Sequence, residues 1–184
     1  MDFHVTPNEP DAHEPDALNE EQAQRITAFW EESRSSSRIA DAQSVVGLGW
    51  AASIPPEAWA FGDNPDLADD LLSLVLAGTK TATATALCEF AEGDPLPKKD
   101  DLSIILDGAG EPKALIRTTD VTVTPFIEVD AEFAYLEGED DRTLESWRTE
   151  HEGYWRRTLP PLGMEFSATM PVVCERFELV YPKP

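Results

Sequence analysis

The chain has 184 residues, with 14 basic against 36 acidic side chains for a formal charge of −22 and an apolar fraction of 41%. That length suits one compact domain with an extension, and no apolar run is long enough to span a membrane. The acidity is not confined to a tail: residues 1–54 hold three basic and ten acidic residues, and the remainder still carries −15. Such a surface repels nucleic-acid phosphates and anionic membranes at long range, so any RNA contact needs a local basic cleft or a ligand with little phosphate.

Residues 1–18 are proline-containing, polar and acidic, which predicts a disordered leader. They lack the basic start and apolar core of a secretory signal. Residues 19–55 read as a helical extension. Ala23, Ile26, Phe29 and Trp30 recur at helical spacing behind Asn19, a candidate N-cap, up to a serine-rich break at Ser35–Ser37. A weaker helical stretch, RIADAQSVVGLGW, follows, and the tandem prolines of SIPPEAWAFGDNP make a connector.

The next helix is strongly signalled. Asp63 or Asn64 caps it, Pro65 sits in its first turn, Leu67, Leu71, Leu74 and Val75 form its buried face, and Gly78 ends it. TATATALCEF alternates as a strand does, and LSIILD, a GAGE turn and PKALIRTTDVTVTPF form a β-hairpin. FIEVDAEFAYLEGE predicts a short helix ending near Gly138. RTLESWRTEHEGYWRRTL predicts an amphipathic helix with Leu144, Trp147, His151, Tyr154 and Trp155 along one side, and MPVVCERFELVY a closing strand. Short mixed strands with inserted helices predict an α+β fold built on a small barrel or strongly curved sheet. Cys88 and Cys174 both stand in apolar surroundings without ligand-spaced partners, which predicts buried reduced thiols, no metal site through them and a cytoplasmic protein. His4 and His13 lie in the leader, and His151 stands alone.

Chemistry concentrates in three places, each with an ordinary explanation beside the functional one. Lys80 follows a helix C-terminus, where the helix dipole favours any cation. Three residues later Thr83 lies on the same strand face as Thr85. A lysine and a hydroxyl so placed serve as base and nucleophile, or bind a phosphate or carbonyl oxygen; threonine is also simply a good strand former. Phe61–Gly62–Asp63 is either a turn and cap, or a ring that stacks on a base beside an acceptor. Glu137 lies in an acidic stretch at a helix end that disfavours carboxylates. Turned inward toward Lys80, with Arg142 as an ion-pair partner, it would serve acid–base chemistry.

Together these parts resemble the ASCH domain family, in its longer FGD-containing branch. The resemblance runs over about residues 56–182, within a domain of residues 56–184, through FGD, Gly-x-Lys-x-x-Thr, the hairpin, the acidic helix and the closing strand. It implies a small PUA-like β-barrel with flanking helices, and a site of Lys80, Thr83 and Glu137. Trp59, Phe61, Gly62, Asp63, Thr85 and Arg142 stand as substrate-binding candidates around it. In members that hydrolyse acetylated cytidine, the lysine helps deprotonate the threonine, which attacks the acyl carbon, and the glutamate handles the leaving-group proton. Many members carry arginine where this chain has Thr85, a departure that removes one cation from the site.

Three functions follow as expectations. The first is an RNA-associated protein that binds, and as a ribonuclease cleaves, single-stranded RNA around Lys80, with a divalent metal assisting cleavage. The second is a nucleoside amidohydrolase acting through Lys80, Thr83 and Glu137, and the third a non-catalytic RNA or modified-nucleotide binding module. The branch resemblance puts RNA first; the charge of the domain favours a nucleoside or nucleotide ligand. No certain cofactor, no metal ligand set and no membrane partner follows from the sequence.

Overall fold

The structure, a computed structural model, describes residues 14–36 and 54–183. The weak helical stretch between the two segments, and residues 1–13 of the expected leader, lie outside the described residues, whereas residues 14–18, expected to be disordered, are helical. Helix α1 spans Glu14–Ser36, so Asn19 lies inside the helix instead of capping it. The helix continues through Ser33 and Ser35, whose hydroxyls bond back to the carbonyls of Trp30 and Glu31 and so do not compete for the backbone amides.

Strand β1, Glu57–Trp59, lies within what reads in sequence as a connector. Tandem prolines bar a helix there, but not an extended edge strand three residues long, which pairs in parallel with β3. Helix α2, Pro65–Leu76, is capped by the Asn64 side chain, which accepts from Leu67 N at 3.0 Å. Its buried face is Ala68, Leu71, Leu72 and Val75; Leu67 and Leu74 are only half-buried, because a cavity opens beside them.

Strands β2 (Ala82–Ala86), β3 (Leu102–Leu106), β4 (Pro112–Pro125) and β5 (Pro171–Tyr181) complete a sheet of order β1-β3-β4-β5-β2. All pairings but β1–β3 are antiparallel. Register shifts in β3 and β4 bend the strands, so that the sheet curls into a half-barrel. The predicted hairpin is the β3–β4 pair.

Strand alternation divides the core. On one face Ile105, Ala114, Ile116 and Phe177 meet α2 and Phe61. On the other, Val172, Cys174, Ala82 and Ala86 pack against helices α3 (Ala131–Glu137) and α4 (Leu144–Thr158). Ile104, Leu106 and Leu115 on that same side pack against Trp30 of α1. Cys174 is buried, but Cys88 is exposed, which corrects the expectation of two buried thiols: β2 ends at Ala86 and the following 3-10 turn rotates Cys88 outward.

Candidate functional site

Backbone geometry brings two distant segments together. Gly78 turns left-handed after α2 (φ +69°), and the amides of Thr79 and Lys80 both bond Leu74 O. From there Thr81 N donates to Leu136 O at 2.8 Å, which ties the entrance of β2 to the last turn of α3. Gly138 ends α3 at φ +75°, and a Cβ on it would lie 2.5 Å from Thr79 O. Only glycine permits that approach. The result sets Glu137 directly against Lys80.

Both side chains are about 1% exposed. Lys80 Nζ is 2.7 Å from Glu137 Oε2 and 2.5 Å from Glu139 Oε1, and lies 5.3 Å from the centroid of the Phe61 ring. Glu137 Oε1 accepts from Trp147 Nε1 at 2.8 Å and is 3.4 Å from His151 Nε2. His151 Nδ1 is 2.9 Å from Trp147 O, one helical turn back, and its ring stacks on Trp147. Burial works against every charge in this cluster. For Glu137 the charges of Lys80 and His151 outweigh it and hold the carboxyl well below its ordinary range. For Lys80 and His151 the neighbouring carboxylates outweigh burial and raise both groups. The resting cluster therefore favours ammonium, carboxylate and imidazolium, and both ring nitrogens of His151 face oxygen atoms.

A cavity of about 700 Å³ opens beside it, between α2, β2 and α4. Thr83, Thr85, Glu137, Glu139 and His151 face it, with Trp59 and Tyr154 as aromatic walls and Asp70, Glu89, Asp140, Glu150 and Arg157 at other points of the lining. Lys80 is not a lining residue. It stands behind the two carboxylates that are, so the wall offers a ligand carboxylates held by a lysine, not the lysine itself.

The other predicted residues fall into place around this. Gly62 lines the cavity at φ +73°, tight against Leu67. Phe61 is buried behind the wall, in edge contact with Trp59, so the aromatic surface open to a ligand belongs to Trp59. Asp63 does not cap α2. It receives the Arg157 guanidinium at 2.8 and 3.0 Å, which lowers its carboxyl. Arg142 is not the partner of Glu137: at φ +64° it bonds Tyr135 O through Nε and Nη2 and lies over the Tyr135 ring. A guanidinium is better used capping the open carbonyls of α3 than joining a carboxylate already paired.

Sequence reasoning missed His151, which does not stand alone, and also Glu139, Glu89, Tyr154 and Arg157. The available signal was spacing on α4: Trp147, His151, Tyr154 and Trp155 share one side. Among the described residues no group of three or more His, Cys, Asp or Glu side chains is arranged to hold a metal ion, and no helix is long and apolar enough to cross a membrane.

Comparison with known proteins adds a lineage to this geometry. Residues 57–181 match the family described as ASCH domain. A crystal structure of a protein from Enterococcus faecalis V583 is 32% identical with a TM-score of 0.70, over 86% of this chain and 91% of that one. The ASCH domain from Lactobacillus crispatus JV V101 is 26% identical with a TM-score of 0.72, over 86% and 95%. No curated protein matches the sequence.

Proposed function

Because this chain belongs to the ASCH domain family, we propose that its cavity is a receptor for a single nucleoside-type group, supplied free or by an unpaired nucleotide of RNA. The observation that carries this reading is the lining. A volume of about 700 Å³ suits a ligand of that size. Trp59 and Tyr154 offer flat apolar walls, and the carboxylates and threonine hydroxyls offer acceptors to the amino groups of a base. The same carboxylates repel phosphate, so an RNA backbone would run outside the cavity while its base enters. This puts the nucleoside reading ahead of a ribonuclease that polarises phosphorus through Lys80.

The chemistry that fits the wall is amide hydrolysis on an exocyclic acylamino group. Thr83 Oγ1 attacks the acyl carbon and its proton passes to Glu137. The C–N bond breaks as His151 protonates the departing amine. Water then attacks the acyl-threonine ester, leaving one proton on His151, while Glu137 returns its proton to Thr83. Lys80, kept cationic by two carboxylates, positions Glu137 and stabilises negative charge; it is not the base.

The test is calorimetric titration and product analysis with N4-acetylcytidine, cytidine and a short single-stranded RNA, on wild type and Thr83→Ala. The expected result is nucleoside binding by both proteins and deacetylation by wild type alone. Binding without turnover in either protein leaves the receptor and removes the catalysis. RNA binding with a steep salt slope and no nucleoside binding refutes the cavity as the receptor.

A further inference from the structure

We infer that the cavity selects nucleosides whose base carries a positive charge over neutral bases of the same composition; this rests on the reading above and specifies its substrate class. The argument begins with which charges in the wall are already matched. Glu137 and Glu139 share the Lys80 ammonium, and His151 faces Glu137. Arg157, the guanidinium of the lining, is bonded to Asp63 and is neutralised by it.

Four carboxylates of the lining then have no cation at ion-pair distance among the described residues: Asp70, Glu89, Asp140 and Glu150. Glu89 is held by neutral donors, Ala86 N at 2.8 Å and Trp155 Nε1 at 3.0 Å, and Asp140 by the Ser146 hydroxyl. Those bonds orient the carboxylates without discharging them. The walls they flank are Trp59 and Tyr154; Arg157 already lies over the Tyr154 ring, 5.6 Å from its centroid, so the further attraction for a ligand cation comes from Trp59.

A general surface acidity does not account for this arrangement. Glu89 is anchored by an indole from α4 and by a backbone amide at the end of β2, and it lines the cavity. Glu89 is half-buried and Asp70, Asp140 and Glu150 are exposed, so their combined field acts on whatever enters the concave wall and is weakened by salt. A neutral base gains only hydrogen bonds there, a phosphorylated one is repelled, and a cationic base gains both hydrogen bonds and electrostatic attraction.

The experiment compares isomers that differ in charge: 1-methyladenosine, cationic at neutral pH, against neutral N6-methyladenosine, and 3-methylcytidine, likewise cationic, against neutral N4-methylcytidine. Titration calorimetry on the full chain at low salt is expected to give each cationic isomer at least about tenfold tighter binding, or about 1.4 kcal/mol. That preference narrows as salt is added. Glu150→Gln and Asp70→Asn are expected to reduce the ratio between isomers severalfold, whereas a merely structural effect would weaken both isomers alike. Equal or tighter binding of the neutral isomers overturns the inference and leaves the nucleoside receptor intact. A preference indifferent to salt and to both substitutions overturns it too, since shape would then be the cause. Failure of every nucleoside to bind overturns both readings.

Discussion

Replacing Lys80 by methionine removes the charge at the centre of the cluster while keeping the side chain's length. Lys80 and Glu137 are each about 1% exposed and 2.7 Å apart. Taking away one partner of such a pair leaves a buried carboxylate and costs about 3–5 kcal/mol. The lower end is expected here, because Trp147 Nε1 and His151 still face Glu137. The loss would be measured by guanidinium unfolding as a shift in midpoint at constant slope. The double variant Lys80→Met/Glu137→Gln should recover most of it, since no buried carboxylate is left without its lysine. The pH dependence has a definite sign. The Glu137 carboxyl is depressed in the fold, so its contribution is present above the ordinary carboxylate range and is lost as pH falls toward the folded value. Without Lys80 the carboxyl takes up a proton more readily, and the variant's deficit should shrink as pH falls through about 4. A single-variant cost below about 1 kcal/mol, or a double variant no better than the single, would refute the claim that the lysine holds the glutamate in place.

Gly138→Ala should cost about 2 kcal/mol or more, from a left-handed alanine together with a Cβ driven against Thr79 O, and should lower nucleoside affinity by separating Glu137 from Lys80. Gly163→Ala, equally left-handed but with nothing within 4 Å of the added Cβ, should lose only about 1–2 kcal/mol of stability and no binding; equal effects at the two positions would count against the close approach. Glu175 is buried in β5 against the Thr118 hydroxyl, and burial raises its carboxyl. Its stabilising contribution is thus present below the ordinary carboxylate range and is lost as pH rises through the folded value. Glu175→Gln is expected to be more stable than wild type at neutral pH and to lose that advantage in acid, in urea titrations at the two pH values; an equal loss of stability at both would contradict this.

The sequence by itself determined the parts whose causes are local. Asn64 and Pro65 start α2 and Gly78 stops it; the alternation of Thr81–Ala86 makes an extended strand; the GAGE turn closes a hairpin; and the spacing of Trp147, Trp155 and their neighbours makes a helix with one apolar side. Each signal lies within a few residues of what it specifies. The strand of Glu57–Trp59 escaped because its reason is a partner, β3, far along the chain. Lys80 and Glu137 were nameable through the family pattern, but their side chains alone were compatible with an ordinary helix-end lysine and a solvated acid. Only the tertiary structure decided which residues face the cavity. Packing of Gly138 against Thr79 sets Glu137 against Lys80, while separate tertiary contacts bring His151 to Glu137, Arg142 to the end of α3 and Asp63 to Arg157. Those outcomes depend on contacts across tens of residues and on competition among charges for burial, and neither is encoded in any short window of the chain.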